Sequence, residues 1–253
     1  MKKIFKYIFA GMAAMSVVAC SEDALETSPS SSVSGNELLG TATNALVSLN
    51  GVYRAMYTAG VSNSSNTHQC FGITAYNLVA DVMGEDCIMN GQGSGWFWYD
   101  CVYNVKSRYT STGWRSYDMW NGYYTWISNV NYILAEEETM SGSETEKNYV
   151  LGQAYAVRAY SYFMLAQMFS RTYKGHESEP CVPLYTEPTD IATEGKGRAT
   201  VEEVYQQITS DLDKAITMLG NSGKRKHISH INEAVASGLS LIHISEPTRR
   251  TPI

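Results

Sequence analysis

Apolar residues along most of this chain recur three and four apart, the spacing that keeps them on one side of a helix. In residues 41–57, TATNALVSLNGVYRAMY, such a stripe runs through Ala42, Ala45, Leu46, Leu49, Val52, Tyr53 and Met56. Residues 71–83, FGITAYNLVADVM, predict a second helix that stops near Gly84. From Trp114 the spacing returns, and Tyr117, Trp120, Tyr124, Ile127 and Leu134 are expected to share a face. A long helix is predicted over 146–170, with Val150, Ala154, Val157, Ser161, Met164, Leu165 and Met168 on its inner side. Its alanines predict a close approach of a neighbouring helix. A loop containing Pro180, Pro183 and Pro188 follows.

The next helix has the clearest limits. Thr200 and Glu203 have capping-box spacing, in which each side chain serves the other's backbone amide. Val201, Val204, Tyr205, Ile208, Leu212, Ile216 and Leu219 form its predicted buried stripe, and Gly220 is a natural stop. The turn NSGKRK then leads to a helix from about Ser229, giving an antiparallel hairpin. Strand-like sequence is confined to the neighbourhood of 96–105. Paired helices invite comparison with tetratricopeptide repeats. Leu151, Gly152, Tyr155, Ala159 and Phe163 match part of that consensus, but Asn148 occupies its tryptophan position. The expectation is an all-α fold packed in tetratricopeptide manner without the strict period.

The start of the chain is different. Lys2, Lys3 and Lys6 precede the apolar run IFAGMAAMSVVA of residues 8–19, and Cys20 stands at its exit. A basic start and a short apolar core make a secretory signal, too short to span a bilayer comfortably. The V-V-A-C junction resembles the lipobox of bacterial lipoproteins. That resemblance implies a diacylglycerol thioether on Cys20, which becomes the first residue of the mature chain. Acyl chains contribute roughly 0.8 kcal/mol per buried methylene, so several on one residue anchor firmly. The alternative is an ordinary cleaved signal with Cys20 merely nearby. Ser21, Glu22 and Asp23 resemble the export tag of some surface-exposed Bacteroidetes lipoproteins, although acids are common in any solvated tether. Residues 24–35 are rich in Ser and read as flexible linker.

These features divide the chain into a signal peptide (1–19), a lipidated tether (20–40), a helical region (41–239) and a tail (240–253). The tail, SLIHISEPTRRTPI, abandons the stripe at Ser240, brings in Pro247 and Pro252, and looks like translated sequencing adapter. Native sequence is therefore expected to end near Leu239, with the protein itself continuing.

A net charge of −6 over 253 residues argues against nucleic acid, whose phosphates are bound by clustered Lys and Arg. Cys70, Cys87, Cys101 and Cys181 include no C-x-x-C pair, and disulfides and buried thiols remain equally open. GQGSG at 91–95 lacks the lysine of a phosphate loop, and Ser94 lacks the flanking glycines of a nucleophile elbow. His68, His176, His227, His230 and His243 are scattered; His227 and His230 could share a helix face, but two ligands do not make a metal site. No metal or cofactor is expected. Asp81, Glu85 and Asp86 form the compact carboxylate cluster. A glycosidase needs two carboxyls roughly 5 to 9.5 Å apart, but such a cluster more readily caps a helix or accepts hydrogen bonds from sugar hydroxyls. Catalysis is not expected.

Eighteen tyrosines and five tryptophans suit a binder better. Sugars offer an apolar ring face and a rim of hydroxyls, met by aromatic planes and polar side chains. GSGWFWYDCVYN supplies Trp96, Trp98 and Tyr99 beside Asp100 and Asn104, with Asp81, Asp86 and Arg108 as further rim candidates. If this stretch is extended, Trp96 and Trp98 point one way and Phe97 the other. The alternative is that these aromatics only pin the loop to the core. Trp114, Trp120 and Trp126 are expected in the core.

In order along the chain, NALVSLNGVYRAMY, DVMGEDCIMN, WNGYYTWISNVNYIL, GQAYAVRAYSYFMLAQMFS running into VPLYTEP, and ATVEEVYQQITSDLDKAITML resemble the SusD/RagB family of Bacteroidetes outer-membrane lipoproteins. Family members usually have A-R-F-L-R-A-Y where this chain has AYAVRAYSYF, which keeps Arg158, Ala159 and Tyr160. The resemblance implies tetratricopeptide-like helix pairs, with an irregular C-terminal half missing here. It also implies an outer-membrane, lipid-anchored lid that delivers oligosaccharides to a SusC-like TonB-dependent transporter. Capture of peptides by the same groove, or an envelope adaptor binding only protein, are the alternatives.

Overall fold

The helical spacing resolves into seven helices among the described residues: α1 (Ala42–Ala55), α2 (Ile73–Met83), α3 (Trp98–Cys101), α4 (Trp114–Ala135), α5 (Glu144–Phe169), α6 (Val201–Gly220) and α7 (Glu233–Ser245). The structure is a computed structural model that describes residues 38–85, 87–103 and 113–245. Among these residues extended pairing is limited to two isolated bridges, Thr41 with Ser141 and Pro180 with Thr200. The fold is all-α, with consecutive helices α4–α5 and α6–α7 folded against one another in tetratricopeptide-like pairs.

Helix starts are set by side chains that satisfy the first amides. Thr41 Oγ1 accepts from Asn44 N at 3.1 Å. Ser143–Glu146 and the predicted Thr200–Glu203 pair both form reciprocal capping boxes. α7 begins at Glu233 rather than near Ser229, because Asn232 Oδ1 caps Val235 N at 3.1 Å. It also continues past Ser240 to Ser245, with Pro247 the first residue beyond that forbids helix. The start of α1 is fastened to the α4–α5 turn: Ala42 N donates to Ser141 O at 2.8 Å and Ser141 N donates to Gly40 O at 3.0 Å.

α5 is the centre of the bundle. Residues 149–159 are all buried, so its inner side is not a stripe but nearly its whole circumference. It packs most extensively on α6 and next on α4. The expected close approach is made at Gly152, where an added Cβ would stand 2.8 Å from Leu219 Cγ. α6 buries the predicted stripe with one change: Ala215 lies inside, while Ile216 is only half-buried. α4 departs further. Its core face is Met119, Tyr123, Trp126, Ile127, Val130 and Ile133, whereas Tyr117 is exposed and Trp120 and Tyr124 are half-buried. Aromatic residues occupy both faces of α4, and spacing alone does not tell them apart. Over the described residues 96–103 the chain is not extended: Phe97 has a positive φ of 55° and is followed by the single helical turn α3.

Two buried charges tie elements together. Arg158 on α5 donates from Nη2 and Nε to Asp211 on α6 at 2.7 and 2.8 Å, and from Nη1 to Asn131 Oδ1 at 2.9 Å and to Thr186 O at 3.1 Å. Arg115 on α4, 2% exposed, pairs with Asp100 at 3.1 Å and donates to Gln69 O at 2.9 Å. Cys70, Cys87, Cys101 and Cys181 are free thiols. Burial is the main cause that pushes Cys70 up to about 12, with the charge of Asp118 adding to it.

His230 joins α1, α5 and the α6–α7 loop. Lys226 N donates to Tyr149 Oη at 2.8 Å, Tyr149 Oη meets His230 Nδ1 at 2.8 Å, and His230 Nε2 meets Asn50 Oδ1 at 2.8 Å. Burial, followed by the charges of His227, Lys226 and Arg225, holds His230 below its ordinary 6.5.

Two outcomes follow from these junctions. Arg158→Ala strands Asp211 without its partner, and denaturant unfolding should show a loss of about 3–5 kcal/mol, the usual cost of breaking a buried pair. The unfolded chain protonates His230 near 6.5 while the folded chain resists, so stability should fall as pH drops below 6.5. Denaturation midpoints across that range, compared with His230→Gln, should show a shallower dependence in the variant.

Candidate functional site

The segment joining α5 to α6 has no helix or strand beyond the Pro180–Thr200 bridge, yet five of its carbonyls are bonded where it crosses α4 and α5. Tyr124 Oη donates to Pro183 O at 2.7 Å, Asn131 Nδ2 to Tyr185 O at 2.9 Å and to Glu187 O at 3.1 Å, and Tyr132 Oη to Thr189 O at 2.7 Å. Tyr185 N donates to Tyr162 Oη at 2.7 Å, and that hydroxyl donates back to Tyr185 O at 2.8 Å. Burial raises the Tyr124 hydroxyl above its ordinary range, which keeps it a neutral donor.

This anchoring holds open a cleft of about 330 Å³ between α4 and the segment. Its walls are Trp120, Tyr124, Ile127, Pro183 and Tyr185, and Ser128, Thr189, Asp190 and Thr193 supply polar groups. The aromatic walls are braced from behind. Trp120 meets Tyr124 at 4.9 Å and Phe169 edge-on at 5.0 Å, while Tyr124 and Tyr185 meet edge-on at 6.1 Å. Asp190 is exposed at the rim. Its Oδ1 accepts from Ala192 N at 2.9 Å and Thr193 Oγ1 at 3.0 Å, and no described residue donates to Oδ2. Aromatic planes with hydroxyls and a carboxylate at the mouth match a ligand with an apolar face and hydroxyl edges.

The sequence pointed elsewhere for this chemistry. Trp120 was expected in the core, and residues 183–193 were expected only as a proline-rich loop. The i, i+4 pair Trp120–Tyr124 and the aromatic Tyr185 amid three prolines were the available signals. What hid them is that the cleft joins positions some sixty apart.

The predicted aromatic turn is a second surface. Trp96 is 49% exposed and lies 5.4 Å from the His68 ring; Tyr99 is 56% exposed and Trp98 half-buried. Because Phe97 is left-handed, Trp96 and Trp98 do not alternate as in a strand. Phe97 is buried, edge-on to Phe71 at 6.1 Å, and its amide donates to Gln69 Oε1 at 3.0 Å. Asp100, expected at the rim, is turned inward: it is 4% exposed and bonded to Arg115. The Arg115 guanidinium also lies 4.2 Å from the Trp114 ring and 5.1 Å from that of Phe97, and so pins the turn. Phe97 and Asp100 thus pin the turn to the core, while Trp96 and Tyr99 stay exposed. Asp81 is exposed on the last turn of α2, and its carbonyl accepts from Gly84 N at 3.1 Å. Cys20, Asp86, Asn104 and Arg108 lie outside the described residues. Tyr124 stands nine residues beyond Arg115, two and a half turns of about 3.6 residues, so cleft and turn face opposite sides of α4.

A family of SusD-like proteins, described as starch-binding and associating with the outer membrane, matches residues 89–243. No curated protein matches the chain. Among solved structures, a SusD-like carbohydrate-binding protein from Bacteroides vulgatus is 26% identical with a TM-score of 0.72, over 83% of this chain and 42% of its own. A SusD superfamily protein from Bacteroides fragilis is 24% identical with a TM-score of 0.63, over 82% and 46%. A laminarin-binding SusD-like protein is 22% identical with a TM-score of 0.57, over 81% and 40%. The chain thus spans less than half the length of these structures. With more than half of its residues matched by one family and the helices superposing on that family's folds, the chain belongs to the SusD-like, outer-membrane-associated carbohydrate-binding family.

Proposed function

We propose that this chain captures oligosaccharides at the cell surface and passes them, chemically unchanged, to a SusC-like TonB-dependent transporter. Cys20 carries the lipid that holds it to the outer membrane. The observation that carries the ligand class is the α4 cleft, in which Trp120, Tyr124 and Tyr185 form an aromatic cradle with a hydroxyl and carboxylate rim. The family's description as starch-binding supports it, as does the laminarin-binding relative.

In this reading a sugar ring lies against the Trp120 and Tyr185 planes, and Asp190, Ser128 and Thr189 receive or donate hydrogen bonds at its edge. The cleft is held open by hydrogen bonds within the protein itself, so little ordering opposes binding. Trp96, Trp98 and Tyr99 form an outlying platform, and Asp81, Asp86, Asn104 and Arg108 are the further polar candidates for it. Asp100 contributes by fixing that platform through Arg115 rather than by touching sugar. A net charge of −6 fits neutral, hydroxyl-rich cargo better than nucleic acid.

Calorimetric titration of the mature chain with starch-type and laminarin-type oligosaccharides tests the cleft. Tyr185→Ala and Trp120→Ala should each weaken binding at least about tenfold, or ~1.4 kcal/mol. Trp96→Ala should cost less, and unchanged binding in both cleft variants would remove the cleft as the site. Peptide binding without saccharide binding would favour the peptide-capturing alternative. Separately, labelled palmitate should enter the wild-type precursor in a lipoprotein-processing host, and Cys20→Ser should abolish both labelling and membrane association.

A further inference from the structure

A second cavity, of about 650 Å³, opens where the last turn of α1, Ile73 at the start of α2 and the α6–α7 loop meet. Tyr53 and His230 both line it, their rings nearly parallel at 12° and 5.5 Å apart. Both rings are fixed by bonds at their polar atoms. Tyr53 Oη donates to Gln153 Oε1 at 2.9 Å and accepts from Ile231 N at 3.3 Å. Since Tyr149 Oη accepts from Lys226 N, its own proton goes to His230 Nδ1, and His230 Nε2–H donates to Asn50 Oδ1. The two rings stack on one another and His230 is only 8% exposed, so the outer face of the half-buried Tyr53 is what remains for a ligand.

The charged group of the lining is Arg54. Arg54 and His227 line the cavity together with Ser229, and no aspartate or glutamate does. Arg54 is exposed and pairs with no carboxylate among the described residues. Ser229 N donates to His227 Nδ1 at 3.2 Å, so the proton of the neutral imidazole sits on Nε2, where it can be donated to a ligand. Lys224, Arg225, Lys226 and His227 are consecutive and all exposed, in a chain whose overall charge is −6. A divalent cation would be repelled here. A flat, apolar wall beside an uncompensated guanidinium, an imidazole N–H and a hydroxyl fits a sugar ring that carries an anionic substituent.

We propose that this cavity is a second saccharide site, selective for acidic sugar residues bearing a carboxylate or sulfate. The sugar ring packs on Tyr53, which His230 backs, and the anion is held by Arg54 and His227. The proposal shares with the preceding section the premise that the chain meets glycans, but it uses none of the cleft residues.

The test is titration of the mature chain with trigalacturonate, a sulfated trisaccharide and neutral maltotriose, for wild type, Arg54→Gln, His227→Gln and Trp120→Ala, with thermal midpoints as the folding control. Binding of an acidic trisaccharide should weaken at least about tenfold in Arg54→Gln, weaken with rising salt, and survive Trp120→Ala. Preference for trigalacturonate identifies the anion as carboxylate, and preference for the sulfated sugar, with the same dependence on Arg54, identifies it as sulfate. Failure of both acidic sugars to bind, or their indifference to Arg54→Gln, or their loss in Trp120→Ala, overturns the proposal. Acidic binding without maltotriose binding would leave this site standing and count against the cleft, whereas the reverse pattern would remove this site alone.

Discussion

Peptide groups in a stretch of chain without helix or strand must find partners elsewhere, and in residues 183–189 those partners are side chains from α4 and α5. Five carbonyls, those of Pro183, Tyr185, Thr186, Glu187 and Thr189, accept from Tyr124, Tyr162, Asn131, Arg158 and Tyr132. Orphaned buried carbonyls would be costly, so the segment sits where these donors are. Arg158 is the member of the set that also bonds α6, through Asp211. The helix pairing and the irregular segment are therefore settled by the same guanidinium. It also explains why polar residues lie in the middle of an otherwise apolar bundle: Asn131 and Asp211 are at most 1% exposed.

How far the fold could be read from sequence depended on whether a residue's role was local. The Thr200–Glu203 cap and the α6 stripe act over three or four residues, and they were legible. α5 was legible as a helix but not as a buried core, because a helix apolar on all sides has no face to read. On α4 the aromatic residues of two faces interleave: Tyr123 and Trp126 enter the core while Trp120 and Tyr124 line the cleft. Spacing gives the same answer for both. Phe97 escaped because its left-handed backbone follows from packing against Phe71 and Arg115, and neither is a neighbour in the chain. The cleft and the His230 junction were out of reach for the same reason, each being assembled from segments far apart in sequence.

The three aromatic surfaces share a construction. Hydrogen bonds, neighbouring rings or a pinned backbone restrain the rings that form them. Tyr185 is held through its backbone and has the Lys196 ammonium 5.3 Å from its ring. Tyr53 and His230 are held through oxygen and nitrogen, and the 96–99 turn is held through Phe97 and Arg115. Rings so restrained lose little freedom when a flat ligand arrives. They differ in charge, from the acidic rim of the α4 cleft to the basic rim between α1 and the α6–α7 loop. A branched or mixed-charge polymer would therefore meet different chemistry on different sides of one bundle.

The fastening of Gly40 and Ala42 to Ser141 gives the bundle a mechanical property. Any tension arriving along the chain from residues before Gly40 first meets two backbone hydrogen bonds to the turn between α4 and α5. Pulling is thereby delivered to the turn of the central hairpin instead of peeling α1 from its end. A molecule tugged from its amino terminus would yield at that clasp before its aromatic surfaces are disturbed.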